Sequence, residues 1–121
     1  MSWEIEVPGQ FESWWETLTN EEKFKITAIV EILEARGTNL GHPYSSEIKG
    51  SRHTHMRELR IQYKGEPYRV LYAFDPRRIA ILLIGGKKGG DKQWYKTFIP
   101  IADNLYDEHL EEISKEEKDN G

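Results

Sequence analysis

The 121-residue chain has no cysteine, which excludes a disulfide framework and a thiolate metal site. No apolar run approaches the roughly 20 residues that a membrane-spanning helix needs. The amino-terminal MSWEIEVPG lacks the basic start and apolar stretch of a secretory signal, so a soluble cytoplasmic protein with no membrane partner is expected. No Walker-type loop or G-x-G-x-x-G is present, and the symmetric GGKKGG at 85–90 lacks a Ser or Thr after its lysines. Histidines are few, at 4, and only His53 and His55 share a spacing that metals use. Without cysteine or a second paired cluster, neither a metal nor a cofactor is expected. These two histidines are instead expected to lie in a solvated loop or to touch RNA. The length fits one domain over 1–121, with 116–121 as a frayed tail.

Positive charge is scarce overall, since the formal net charge is −4, but it is not evenly spread. Residues 1–35 hold two basic and eight acidic side chains, and residues 97–121 hold the same numbers. Residues 36–96 hold thirteen basic and five acidic ones. A basic middle between acidic ends points to an anionic partner at the middle. The plainer alternative is a solvated sheet face whose cations bind nothing.

SWEIEV alternates Trp3, Ile5 and Val7 with polar residues, which predicts a short strand ended by Pro8-Gly9. FESWWETL then reads as a short helix whose paired tryptophans pack inward. Thr19 and Glu22 form a capping-box pattern for a helix whose apolar stripe reads Phe24, Ala28, Val30, Ile32, Leu33 and Ala35, with Gly37 as its stop. Residues 38–55 show no period and read as a long ordered loop. Three antiparallel strands follow. In RELRIQY, Leu59, Ile61 and Tyr63 share one face and Glu58, Arg60 and Gln62 the other. In YRVLYAF, Arg69, Leu71 and Ala73 oppose Tyr68, Val70, Tyr72 and Phe74. IAILLIGG is apolar on both faces, as an interior strand is. From about Pro100 the chain reads as an acidic-surfaced helix. The expected fold is α+β, an antiparallel sheet with helices packed on one face and Arg60 and Arg69 on the open side.

Those two arginines lie on neighbouring strands, within cross-strand reach. The Gly-rich exit from the sheet adds Lys87, Lys88 and Lys92, followed by Trp94 and Tyr95. Lys49, Arg52 and Arg57 lead into the hairpin. Cations beside aromatic rings suit RNA, since cations meet phosphates and rings stack on unpaired bases. Arginine also stabilises charge that builds on a phosphate under attack. Glu58 shares a face with Arg60 and orients it.

MRELRIQYKGEPYRVLYAF (56–74), followed by DPRRIAILLIGG (75–86), KKGGDKQWY (87–95) and IPIADNLYDEHL (99–110), resembles the RelE/ParE superfamily of toxins. Within it, the likeness is to phage-derived HigB-like toxins of type II toxin–antitoxin systems. EIKG (47–50) fits the segment before the hairpin, so the likeness spans about 47–110, and the earlier elements agree in order. The resemblance implies a RelE-like, microbial-ribonuclease-like fold and an mRNA endonuclease, usually acting on the ribosome without a metal. The 2′-OH would attack the adjacent phosphate, leaving a 2′,3′-cyclic phosphate, or the 3′-phosphate from its opening, and a 5′-OH. By position, Arg60 and Arg69 would stabilise the scissile phosphate. Lys87 or Lys88 would hold charge near the leaving group or the base, and Tyr95 would stack on a base or move a proton, with Trp94 in reserve. The implied partner is a HigA-like helix-turn-helix antitoxin. Some superfamily members instead inhibit DNA gyrase, so a non-catalytic inhibitor or nucleic-acid-binding module is the alternative.

Overall fold

The computed structural model describes residues 2–120. The chain runs β1 (Ile5–Glu6), α1 (Gly9–Trp15), α2 (Asn20–Arg36), a 3-10 turn (Gly37–Asn39), β2 (Ser45–Glu47), β3 (Arg57–Tyr63), β4 (Glu66–Phe74), β5 (Ala80–Lys87) and α3 (Trp94–Asn120). The five strands lie in the order β1-β5-β4-β3-β2. Only β1, beside β5, is parallel to its neighbour.

The three central strands follow from the alternation, and their connections from local chemistry. Tyr63 pairs with Glu66, leaving a two-residue turn in which Lys64 and Gly65 both have positive φ. This hairpin turn matches the sheet's twist, and glycine enters it without strain. Between β4 and β5, the Asp75 carboxylate accepts hydrogen bonds from the backbone N–H of Arg77 and Ile79, at 2.8 and 3.2 Å. Helix α2 carries the expected capping box. Thr19 accepts from the Glu22 N–H at 3.2 Å, and the Glu22 carboxylate accepts from the Thr19 N–H at 2.8 Å.

The buried line of α2 differs from the expected stripe. Ile26 and Leu33 are fully buried, whereas Phe24 is 75% exposed. The helix has apolar residues on more than one flank, so composition alone does not choose which flank meets the sheet.

The third helix corrects the expected layering. Leu59, Ile61, Val70, Tyr72 and Leu82 pack with Phe11, Ile26 and Leu33 of α1 and α2. Leu71, Ala73, Ile81, Leu83 and Ile84 face the other way and pack with Trp94, Ile99, Ala102 and Tyr106 of α3. Helices therefore cover both faces, because β4 and β5 present apolar side chains on both. Helix α3 starts at Trp94 rather than near Pro100, which sits exposed within it. Residues 116–120, expected to be frayed, continue the helix, and Gly121 lies outside the described residues.

Two adjacent glycines bring the tryptophans of both layers against β5. A Cβ on Gly85 would lie 2.2 Å from Trp14, and one on Gly86 would lie 2.7 Å from Trp94. Only hydrogen fits at either position. No helix among the described residues is long and apolar enough to cross a membrane.

Candidate functional site

The face of β3 and β4 on the α3 side carries Glu58, Arg60 and Arg69. Arg60 and Arg69 are direct cross-strand partners. Two like charges so placed repel, and a carboxylate between them offsets that cost. Glu58 provides it. This residue is only 5% exposed and sits at the centre of the group. Its Oε2 accepts from the Ser46 hydroxyl at 2.7 Å and from Arg60 at 3.2 Å. Its Oε1 accepts from the Tyr95 hydroxyl at 2.5 Å and lies 3.3 Å from Arg69 Nε.

Arg69 is not the surface arginine that an open sheet face would give. It is 8% exposed, and one guanidinium nitrogen donates to the Tyr68 carbonyl at 3.0 Å. Its buried Nε makes no hydrogen bond. The contact with Glu58 is thus an ion pair by distance, without the alignment of a hydrogen bond. Arg60 is the more accessible partner, with 35% of its side chain exposed.

Tyr95 enters from the first turn of α3. Burial, and then its hydrogen bond to Glu58, push its phenol above the ordinary value of 10, with Arg69 opposing. The phenol is protonated at neutral pH, as an ordinary phenol is, and the shift keeps it from acting there as a base. Lys88 is half-buried at the rim, with Nζ 5.6 Å from the centre of the Tyr95 ring. The structure thus brings together four expected residues, Arg60, Arg69, Lys88 and Tyr95.

Four others lie elsewhere. Arg57 points to the opposite face, where it donates to Ser45 at 3.1 Å and to the Leu40 carbonyl at 3.3 Å. Lys87 also faces away, because it is the register partner of Tyr68, and it pairs with Glu66 at 2.6 Å. Arg52 docks against α3 through Asp107 and Asn104. Trp94 is 3% exposed and stacks on Phe98 with ring centres 4.5 Å apart, leaving no face for a base. Lys49 and Lys92 are exposed, with no ion pair among the described residues.

Two anchors fix α3, and with it Tyr95. The loop before β3 docks through Ser51 Oγ and the Arg52 N–H to Asp103, at 2.5 and 2.9 Å, and through His53 to Asp107 at 2.8 Å. Further along, His109 meets the buried Asp75 carboxylate at 2.9 Å, while Arg77 binds the same oxygen at 2.7 Å. Among the described residues, no three His, Asp or Glu side chains converge as metal ligands.

Residues 13–107 match the family described as "Phage derived protein Gp49-like". The chain belongs to this Gp49-like family. Its relatives include the putative toxin HigB3 of Mycobacterium tuberculosis, 42% identical over 95 residues, which cover 78% of this chain and 82% of that one. Another is the putative toxin HigB2 of the same organism, 39% identical over 112 residues. That match covers 91% of this chain but 55% of the relative, so this Gp49-like chain spans about half of HigB2's length. Among solved structures, a free-state mutant of the E. coli toxin RelE shares the fold, with a TM-score of 0.55 at 10% identity. The match covers 78% of this chain and 92% of that one.

Sequence reasoning gave Glu58 of this Gp49-like protein only an orienting role and missed Ser46. The available signal for Glu58 was an acidic residue on the otherwise basic face of β3. For Ser46 the signal was the YSSE stretch, which forms an edge strand of only three residues.

Proposed function

We propose that the protein is the toxin of a toxin–antitoxin pair and acts as an endoribonuclease that cleaves mRNA, on the ribosome, by internal 2′-OH attack. The observation that carries this reading is the buried Glu58 carboxylate set among Arg60, Arg69 and Tyr95. Glu58 takes the proton of the 2′-OH as that oxygen attacks the adjacent phosphorus. Arg69 and Arg60 stabilise the charge that gathers on the phosphoryl oxygens. The bond to the 5′-oxygen breaks, and Tyr95, held in its protonated form, supplies the proton to that leaving oxygen. Lys88, beside the Tyr95 ring, offsets the negative charge formed there. The products are a 2′,3′-cyclic phosphate and a 5′-OH, and each proton taken has a matching proton given. Lys49 and Lys92, exposed and unpaired among the described residues, attract the flanking backbone.

The neutralising partner is a HigA-like helix-turn-helix antitoxin. Support for the toxin role comes from the two mycobacterial relatives named above. Support for RNA chemistry comes from an acid, a base and two arginines in one cluster.

The test is induced expression followed by mapping of 5′-OH RNA ends, with Glu58→Gln as the comparison. Ends should appear with wild type and fall by at least ~10²-fold with the variant, in line with loss of a general base. Cleavage by Glu58→Gln at the wild-type rate would remove this mechanism. A second reading, a non-catalytic inhibitor of DNA gyrase or a nucleic-acid-binding module, draws on one observation. Glu58 is already engaged by three hydrogen-bond donors, as a purely structural carboxylate would be.

A further inference from the structure

We propose that Ser46 is a positioning residue, whose hydroxyl keeps the Glu58 carboxylate seated when Arg60 turns from it to the RNA phosphate. The inference rests on the endoribonuclease reading.

The four neighbours of Glu58 differ in how firmly they hold it. Tyr95 is committed to Oε1, and its proton leaves with the product. Arg69 faces the same oxygen without hydrogen-bond alignment. Arg60 shares Oε2 with Ser46, but its contact is longer, 3.2 against 2.7 Å, and its side chain is partly exposed. A phosphate entering the site competes for Arg60, because guanidinium and phosphate pair through strong charge-assisted hydrogen bonds. Ser46 is then the one short donor that does not take part in the chemistry. The terminal torsion of a glutamate is broad, so a carboxylate released from Oε2 can swing after Arg60 and lose its line to the 2′-OH. Ser46 lies directly across β2–β3 from Glu58, so its reach is set by the backbone ladder. The hydroxyl keeps its own proton throughout.

The neighbouring serine supplies an internal comparison. Ser45 points to the other face, where its hydroxyl meets Tyr72 Oη at 2.6 Å and accepts from Arg57. It is fully buried and has no route to Glu58. The two adjacent serines of one short strand therefore serve different faces: Ser45 the packing of the core, Ser46 the site.

The experiment measures kcat and KM for cleavage of ribosome-bound mRNA by wild type, Ser46→Ala, Ser46→Thr and Ser45→Ala. A hydrogen bond to a charged group corresponds to about a tenfold to hundredfold change in rate. Ser46→Ala should lower kcat by about that factor with KM within about twofold of wild type. Ser46→Thr, which keeps the hydroxyl, should restore kcat to near wild type. Ser45→Ala should lower the melting temperature and leave kcat of the folded protein unchanged. An unchanged kcat in Ser46→Ala, a loss confined to KM, or a loss that Ser46→Thr fails to restore would each overturn the assignment. If wild type itself yields no 5′-OH ends, the enzymatic reading falls and takes this inference with it. If wild type cleaves and Ser46→Ala is its equal, only the inference falls.

Discussion

Replacing Arg69 with alanine removes a guanidinium that sits in two places at once, in the packing of the sheet and beside the scissile phosphate's expected position. Breaking a buried ion pair by deleting one partner costs up to ~3–5 kcal/mol. Here that is an upper bound, because Glu58 keeps Ser46, Arg60 and Tyr95 as donors. The repulsion between Arg60 and its cross-strand partner also disappears with Arg69. A cost of about 1–3 kcal/mol is therefore expected, the range for one unmade buried hydrogen bond. Against a typical domain stability of ~5–15 kcal/mol the variant stays folded but melts several degrees lower. The effect on the reaction is larger: losing one donor to the charged transition state costs ~2.7–4 kcal/mol, or ~10²–10³ in rate. Thermal melts by circular dichroism and RNA cleavage, measured well below the variant's melting temperature, separate the two losses. Arg69→Lys should fall between wild type and alanine, since it keeps the charge and loses the fork. Lys25→Ala, on the exposed flank of α2, is the neutral control. Arg77→Ala is not, because Arg77 binds Asp75 and Glu6. Cleavage by folded Arg69→Ala within a few-fold of wild type would refute the role given to this arginine.

Tyr95→Phe keeps the ring and deletes one proton donor; cleavage should fall by ~10²-fold or more while the melting temperature changes by only a few degrees, and an unchanged rate would remove the phenol as acid. Asp75 has a carboxyl held below its ordinary 3.8: burial alone would raise it, but hydrogen bonds from His109, Arg77 and the Ile79 N–H outweigh that. Its contribution to stability is complete above pH 3.8 and is lost as pH falls through its own lower value. In denaturant melts the gap between wild type and Asp75→Asn should therefore be full at pH 7 and close in strong acid; a gap independent of pH would contradict this. Gly85→Ala drives a methyl group into Trp14 and should destabilise by ~1–3 kcal/mol or more by denaturant titration. An antitoxin should cover the Arg60–Arg69 face or displace α3, seen in hydrogen exchange as slowed exchange of β3 and β4 or as faster exchange of α3; contacts confined to residues 9–36 with no change at the site would exclude direct blocking.

The three central strands were legible because alternation over seven to nine residues leaves little choice of face. The same pattern held the clue to the second layer. A strand apolar on both sides, IAILLIGG, needs cover on both sides, and so do Leu71 and Ala73 on β4. The start of α3 was misread because a proline near a helix start usually occupies its first turn, whereas Pro100 lies deeper and Trp94 through Ile99 precede it. Strand β2 is too short for periodicity to register. The basic cluster was readable from strand phase: Arg60 and Arg69 share a face once two adjacent strands are drawn. The centrality of Glu58 was not, because it depends on Tyr95, 37 residues away, reaching back across the sheet.

The paired glycines of β5 have a consequence for how the site can be perturbed from a distance. Gly85 seats Trp14 from one side of the sheet, and Gly86 seats Trp94, the residue next to Tyr95, from the other. One dipeptide thus joins the packing of α1 to that of the first turn of α3, where Tyr95 lies. A methyl group at Gly85 would press on Trp14 and, by shifting the strand, on the seat of Trp94 beside Tyr95. On the proposed endoribonuclease reading, variants that lose cleavage should therefore arise not only among the charged residues of the cluster but at Trp14, Gly85 and Gly86.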